Sequence, residues 1–519
     1  MSCSRVGFRC VSSSACTARC ARPPSSTFSQ SVARVAQPHV NVRQEKALRA
    51  RAGLSAPSFS GELRCSLAFS WISISTASAS VKRTDFSSGA EITTARRTLS
   101  LSRAPPVGRL NRGWQNSVYR IGMLAILMAI TIQYEHADLV ALVSPERLKA
   151  TVERLASFHT RNTNSPQLTE AAEWLTAQFR AIPSVEVELM RYTIHQSRRV
   201  PETKEVVQVV ATLRGESDRV ILVGGHLDTL NLQGDPVTAR APGANDDASG
   251  VALVLELARV MSRKKWKHTL VFVGFTGEEQ GLLGSTALAE KAKQEGWKID
   301  AMLNNDTVGS SSNKNGQFDP TRVRVFSEQS EQHQSRELAR FIEWVTREKV
   351  PHSGVRLGPM QNREQSDWFG VKLVFRRDRF GRGGDHTPFA NGGFPAVRFI
   401  EVYEEYTRQH TEEDLPEFMD FEYLANVTRM NLVAMAALAN AGPQPRNVRI
   451  ERCQGQDTRL TWEADAGGNY VVYWRGTTSP VWQGAIPVGP VAEYTVEKVN
   501  KDDHEFAVGA VGGLPVPAG

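Results

Sequence analysis

VILVGGHLD, residues 220–228, is an apolar and largely β-branched run that ends abruptly in an imidazole and a carboxylate. Apolar side chains at successive positions suit a strand covered on both faces, the condition of a parallel sheet between two helical layers. VVQVVATL at 206–213, TLVFVGF at 269–275, AMLNN at 301–305 and AVRFI at 396–400 read the same way. Between them, Gly250 to Lys264 has helical spacing, with Val251, Leu255, Ala258 and Met261 on one stripe and Ser249 placed as its N-cap. Residues 331–349 and 421–440 read as further helices. Residues 145–441 are therefore expected to form an α/β domain with a mostly parallel central sheet and helices on both faces.

After the linker AGPQPRN at 441–447 the pattern changes to short alternating segments separated by Gly, Asp, Asn and Pro: VRIERC, TRLTWEA, NYVVYWRG, EYTVEKV and HEFAVGAV. These predict a small all-β sandwich over 445–519, with Trp462, Tyr473, Trp474 and Phe506 as its core. The segment resembles a fibronectin type III domain.

The net charge of +7 would ordinarily suggest nucleic-acid or anionic membrane partners. Its distribution removes that reading. Residues 1–120 hold 18 Lys or Arg against four acids, so the rest of the chain holds 44 against 51 and is mildly acidic. Cys3, Cys10, Cys16, Cys20 and Cys65 also lie in the leader, which leaves Cys453 alone beyond it and no disulfide within the folded part. The Ser-, Arg- and Ala-rich residues 1–122 read as a disordered leader, either a targeting segment or upstream sequence translated from a wrong start. LAILMAITI at 124–132 has the length of a signal-peptide apolar region, so 123–137 is a candidate signal peptide. A secreted or periplasmic protein without stable membrane insertion is expected.

Four strings carry the chemistry: HLD at 226–228, GANDDASG at 243–250, GEEQGLLGS at 277–285 and GGDHTPF at 383–389. Singly, each has an ordinary structural explanation, since Asp246, Asp247 and Ser249 could satisfy free amides at a helix start and Glu278 and Glu279 could favour a helix dipole. Jointly they do not. His226 closes one strand, Glu278 and Glu279 follow another and Asp306 follows a third, all at strand carboxyl ends, where open α/β sheets form their ligand crevice. Adjacent carboxylates there resist ionising together unless cations neutralise them.

With H-x-D, D-x-x-S-G, GEE with GLxGS, an Asp after a strand and DH-x-x-F all present, the chain resembles the family-28 zinc metallopeptidases over about 145–440. That family contains bacterial leucyl aminopeptidases, glutamate carboxypeptidase, glutaminyl cyclase and the inactive transferrin receptor. The resemblance implies two zinc ions, with Asp246 bridging, Glu279 and His386 completing one site, and His226 and Asp306 the other. It also implies a cis peptide between Asp246 and Asp247, Asp228 orienting the His226 imidazole through its carboxylate, and Glu278 as general base.

Paired divalent ions acidify water and polarise a carbonyl, and a free amine is drawn to acidic ligands, so the expected activity is that of an aminopeptidase releasing N-terminal residues from a peptide substrate. Alternatives are a glutamate-carboxypeptidase-like enzyme using the basic run RRDRFGRGGDH at 376–386, a single-zinc glutaminyl cyclase, or a receptor-like binding protein. His410 in YTRQHTEEDLP reads as a supporting residue. The neighbouring Glu404, Glu405, Glu412, Glu413 and Asp414 read as a solvated face, and 310–320 as a mobile loop bordering the cleft.

Overall fold

A computed structural model describes residues 136–519 except 329, 331–332, 352–367 and 454. The leader, nearly all of the candidate signal peptide and five of the cysteines lie outside those residues. Cys453 is free and exposed. Among the described residues no helix is long and apolar enough to cross a membrane.

After a single helical turn at Ala137–Val140 come two longer helices, α1 (Pro145–Ala156) and α2 (Pro166–Arg180). Each has proline in its first turn, where the missing N–H has no helical partner to lose, and each is capped by the preceding serine: Ser144 Oγ accepts from the amide of Arg147 at 3.2 Å and Ser165 Oγ from that of Gln167 at 3.3 Å. The chain then runs through β1 (Val185–Ile194), β2 (Lys204–Leu213), β3 (Ser217–His226), α3 (Ser249–Met261), β4 (His268–Phe275), α4 (Leu283–Gln294), β5 (Lys298–Asn305), β6 (Arg322–Phe326), α5 (Gln334–Thr346), β7 (Gly370–Val374), α6 (His386–Asn391), β8 (Ala396–Glu401) and α7 (Phe421–Ala439).

The eight strands form one sheet in the order β1-β2-β4-β3-β5-β8-β6-β7. Its centre, β4-β3-β5-β8, is parallel, while β1 and β2 pair antiparallel on one flank and β6 runs antiparallel to β8 on the other. Alternation along each strand fills two cores. Val209, Ala211, Ile221, Val223, Leu270, Phe272 and Leu303 face α1, α2, α3, α5 and α7. Val210, Leu222, Val271, Val273 and Met302 face α4 and α6. The mostly parallel sheet with helices on both faces is thus present.

Helix α3 departs from its predicted single stripe. Every residue from Ser249 to Met261 is buried except Arg259, because α1 and α7 cover the side that a surface helix would leave wet. Gly250 permits its close seating: a Cβ there would lie 2.2 Å from the Asn305 carbonyl oxygen. Residues 310–320 form a compact loop in which Ser312 pairs with Phe318, the Asn313 amide donates to the Gln317 carbonyl at 3.0 Å, and Ser311 Oγ donates to Asp420 at 2.7 Å.

The C-terminal segment is a two-sheet antiparallel sandwich. β9 (Arg446–Ile450), β10 (Thr458–Glu463) and β13 (Glu493–Val496) form one sheet; β11 (Tyr470–Gly476), β12 (Gly484–Gly489), β14 (His504–Ala510) and β15 (Val516–Pro517) form the other. Trp462, Tyr470, Val472, Val508 and Phe506 are in the core between the sheets, with Trp474 against it. Tyr473 is not in that core. Strand periodicity turns it, with Val471, to the opposite face of the sheet, where it meets the fully buried Trp482 and packs edge-on against Trp344 of α5, ring centroids 5.9 Å apart. Arg347 donates to the Trp482 carbonyl at 3.1 Å, so this face is fastened to the α/β domain.

Candidate metal centre

The carboxyl ends of β3, β4 and β5 are neighbours in the sheet, so the residues that follow them converge. His226 ends β3 with 1% exposure; its amide donates to Asp247 Oδ2 at 2.9 Å and its Nδ1 lies 3.0 Å from the carbonyl oxygen of Asp228. Asp228 therefore holds the imidazole by its backbone. Its carboxylate, 3.8 Å from Nδ1, instead accepts the amides of Glu278 and Glu279 at 3.2 and 3.1 Å and so fixes the turn after β4. That differs from the expected carboxylate-to-imidazole bond. Two free amides at a tight turn are the stronger claim on a buried carboxylate that can only accept.

Asp246 and Asp247 sit in a kinked turn, Ala244–Ala248, that begins at Gly243 with φ +51° and contains a cis peptide between the two aspartates. Their side chains take opposite duties. Asp247 accepts from the amides of His226, Gly250 (2.9 Å) and Thr307 (3.2 Å), tying together β3, α3 and the segment after β5. It supplies the helix-start contact expected of Ser249, whose hydroxyl donates to the Asn245 carbonyl at 2.7 Å instead. Asp246 faces inward. Its Oδ1 lies 3.0 Å from His226 Nε2 and its Oδ2 lies 3.2 Å from His410 Nε2.

Two donor groups result, each with ligand atoms all within 4.8 Å of one another: His226, Asp246 and Asp306, and Asp246, Glu279 and His410. Asp246 belongs to both. Glu278 approaches His226 and Glu279 within the same limit. His386 belongs to neither group, which corrects the expected ligand set. It starts α6, and its Nε2 is taken by the carbonyl of Arg377 at 2.7 Å. His410 stands where His386 was expected, 2.9 Å from Glu279 Oε1.

The loop that brings His410 is anchored by the acid four residues on. Asp414 accepts the amides of Asn245 and Asp246 at 3.0 and 2.9 Å and is buried, as is Glu404, so these two acids do not belong to a solvated face. Sequence reasoning also missed Arg161. Fully buried, it donates to the carbonyls of Leu155, Leu227, Pro242 and Gly243 at 2.6–2.9 Å, bracing the turns that carry His226 and Asp246. Its partners are all backbone oxygens, which leave no mark in a sequence.

Burial alone would lower both imidazoles, yet Asp246 and Asp306 push His226 well above its ordinary range, and Asp246 and Glu279 push His410 up to about 10. Burial raises the Glu278 carboxyl well above its usual range, with Asp306 and Glu279 adding to it against His226. The centre is thus an excess of buried negative charge. Carboxylate oxygens and imidazole nitrogens without a thiolate are ligands that suit zinc, and three per group leave room for a further ligand, so the residues present fit such ions.

Arg398, fully buried in β8, pairs with Asp306 at 2.7 Å and with Asp378 at 2.8 Å. Asp378 also meets Arg379 at 3.2 Å, and Arg379 pairs with Glu404. Of the basic run, then, Arg379 is an internal ion-pair member and Arg377 is paired with Glu328 at 2.6 Å. Neither is a free anchor for a carboxylate. Beside Asp246 opens a cleft lined by Thr307, Ser310, Glu404, Arg408, Phe418 and Met419, with Arg408 stacked 3.7 Å over Phe418.

An α/β sheet with clustered carboxylates and imidazoles at its carboxyl edge has the build of a metallohydrolase. The family model of peptidase family M28 matches residues 208–435. A probable zinc metalloprotease of Leptosphaeria maculans is 35% identical over 418 residues, covering 72% of this chain and 93% of its own. Another from Pyricularia oryzae is 36% identical over 444 residues, covering 75% and 85%. An aminopeptidase from Aneurinibacillus superposes with a TM-score of 0.44 at 18% identity, covering 59% of this chain and 96% of its own. The chain belongs to peptidase family M28 and is a zinc metallopeptidase.

Proposed function

We propose that the protein is a two-zinc exopeptidase that removes residues from the amino end of peptides. The observation that carries the reading is Asp246, whose two carboxylate oxygens face two different imidazoles. His226, Asp246 and Asp306 would hold one ion, and Asp246, Glu279 and His410 the other. Zinc bound there supplies Lewis acidity toward the scissile carbonyl and makes water more acidic.

The chain's own residues do the rest. Glu278 is next to a ligand, on a turn whose backbone Asp228 fixes through both amides. It takes the proton of the attacking water and returns it to the departing amine. Asp246, Asp306 and Glu279 form the acidic surroundings that draw a free α-ammonium group. The acid partners of Arg377 and Arg379 argue against a basic pocket there for a carboxyl-end substrate.

Zinc-loaded protein should release the first residue of an aminoacyl peptide amide and leave its acetylated form intact; the opposite selectivity overturns the reading. Glu278→Gln should keep both zinc ions by metal analysis while losing about a hundredfold or more in kcat. Near-normal turnover would remove Glu278 from the role.

A further inference from the structure

Four arginines around the centre are committed to acids: Arg324 and Arg379 to Glu404, Arg377 to Glu328, and Arg398 to Asp306 and Asp378. Arg199 is not. It is exposed on the connection between β1 and β2, and its Nη1 donates to the backbone carbonyl of Glu279, the residue beside Glu278. Among the described residues no carboxylate pairs with it.

The segment that carries Arg199 is pinned. Val200, 1% exposed, inserts beside Ile194 and Val206; Ser197 and Val200 exchange backbone bonds at 2.9 and 3.3 Å; and Asn164 Nδ2 donates to the Arg199 carbonyl at 3.1 Å. A guanidinium has five N–H donors in a planar fork, and one carbonyl engages only part of it. The remainder suits a planar carboxylate gripped by two parallel bonds. Its guanidinium is anchored at the Glu279 carbonyl, one residue from Glu278, the group that would return a proton to the departing amine.

We infer that Arg199 binds the C-terminal carboxylate of the leaving portion of the substrate, so that the enzyme favours di- and tripeptides with both ends free over longer or amidated chains. The assignment rests on the peptidase reading. Arg382 provides an internal comparison: it too is exposed, but donates to Gln409 Oε1 at 3.3 Å, on the His410 side of the centre.

The test is calorimetric titration of zinc-loaded protein with a leucyl-alanine analogue whose peptide bond is reduced to an uncleavable amine, offered as the free acid and as the amide. Wild-type protein should bind the acid at least about tenfold more tightly, and Arg199→Met should bind the two forms alike. Equal binding by wild type, a preference that survives Arg199→Met, or one lost in Arg382→Met instead would overturn the assignment. Hydrolysis of L-leucyl-L-alanine is measured separately. A carboxylate preference that depends on Arg199 without hydrolysis would remove the peptidase reading and leave the carboxylate site standing.

Discussion

Replacing Arg398 with methionine should be among the most destabilising single changes in the α/β domain. The side chain is fully buried on β8 and its guanidinium makes three polar contacts: Asp306 Oδ1 at 2.7 Å, Asp378 Oδ2 at 2.8 Å and the Gly383 carbonyl at 2.8 Å. Methionine fills similar space but takes the guanidinium partner from two buried carboxylates, leaving Asp306 with the Thr307 hydroxyl at 2.9 Å and Asp378 with Arg379. Breaking a buried pair by removing one partner costs about 3–5 kcal/mol. Asp378 keeps Arg379 at 3.2 Å, which places the expected loss toward the lower end, about 3 kcal/mol. Against a total stability of about 5–15 kcal/mol this is large, and it should lower the urea midpoint of zinc-saturated protein by about 1 M or more. Adding Asp378→Asn to Arg398→Met removes one of the stranded charges and should recover about 1 kcal/mol or more. A single variant within about 1 kcal/mol of wild type, or a double variant that recovers nothing, would refute the view that this arginine is held for its charge.

His410→Ala should lower bound zinc from two ions per chain to one after dialysis, while His386→Ala should retain both; metal analysis giving the reverse would restore His386 as the ligand. Trp482→Ala empties a fully buried site between the sandwich and α5 and should cost about 3–5 kcal/mol, read as an earlier unfolding transition that includes the α/β domain rather than the sandwich alone. Burial by itself would raise the Asp378 carboxyl, but Arg398, His386 and Arg379 hold it below its usual range. Because that folded value lies beneath the unfolded one of about 3.9, its stabilisation is present above that pH and is lost as pH falls through the folded value. Asp378→Asn should therefore flatten stability against pH below about pH 4, and an unchanged slope would show that Asp378 is not a source of acid lability.

The central strands were legible because burial on both faces leaves an unbroken apolar run, and the strand-end residues His226, Glu279 and Asp306 were legible because an ionisable group directly after such a run has few cheap explanations. The edge strands β1 and β7 lack that signature: β1 alternates half-buried and exposed positions, and β7 has no fully buried residue. Helix α3 looked amphipathic because spacing alone cannot reveal that neighbouring helices cover the far side. Tyr473 illustrates the opposite failure, since Tyr470, Val472 and Trp474 already define the inward phase of β11 and the period of two places Tyr473 outside it.

The choice between His386 and His410 lay beyond sequence because both follow irregular segments and both have an acid nearby. What separates them is which acid reaches the turn that carries Asp246. Asp385 has no hydrogen bond to that turn, whereas Asp414 accepts two of its amides and the Ala244 amide donates to the Asp414 carbonyl at 3.0 Å. Three bonds to the Asp246 turn draw the 410–414 loop over the sheet edge, and the imidazole at its start comes with it. The same turn is braced by Arg161 through Gly243 and by Asn245, whose Oδ1 accepts from Gly309 and whose Nδ2 donates to the buried Glu401. Asp246 is therefore placed by contacts that its neighbours make with their backbones and side chains, and its own two oxygens meet the two imidazoles, with Gln409 Nε2 also donating to Oδ2. An aspartate pair that looks redundant in sequence is in this way divided: Asp247 spends its carboxylate on backbone amides of the fold, and Asp246 turns its carboxylate to the side chains of the centre.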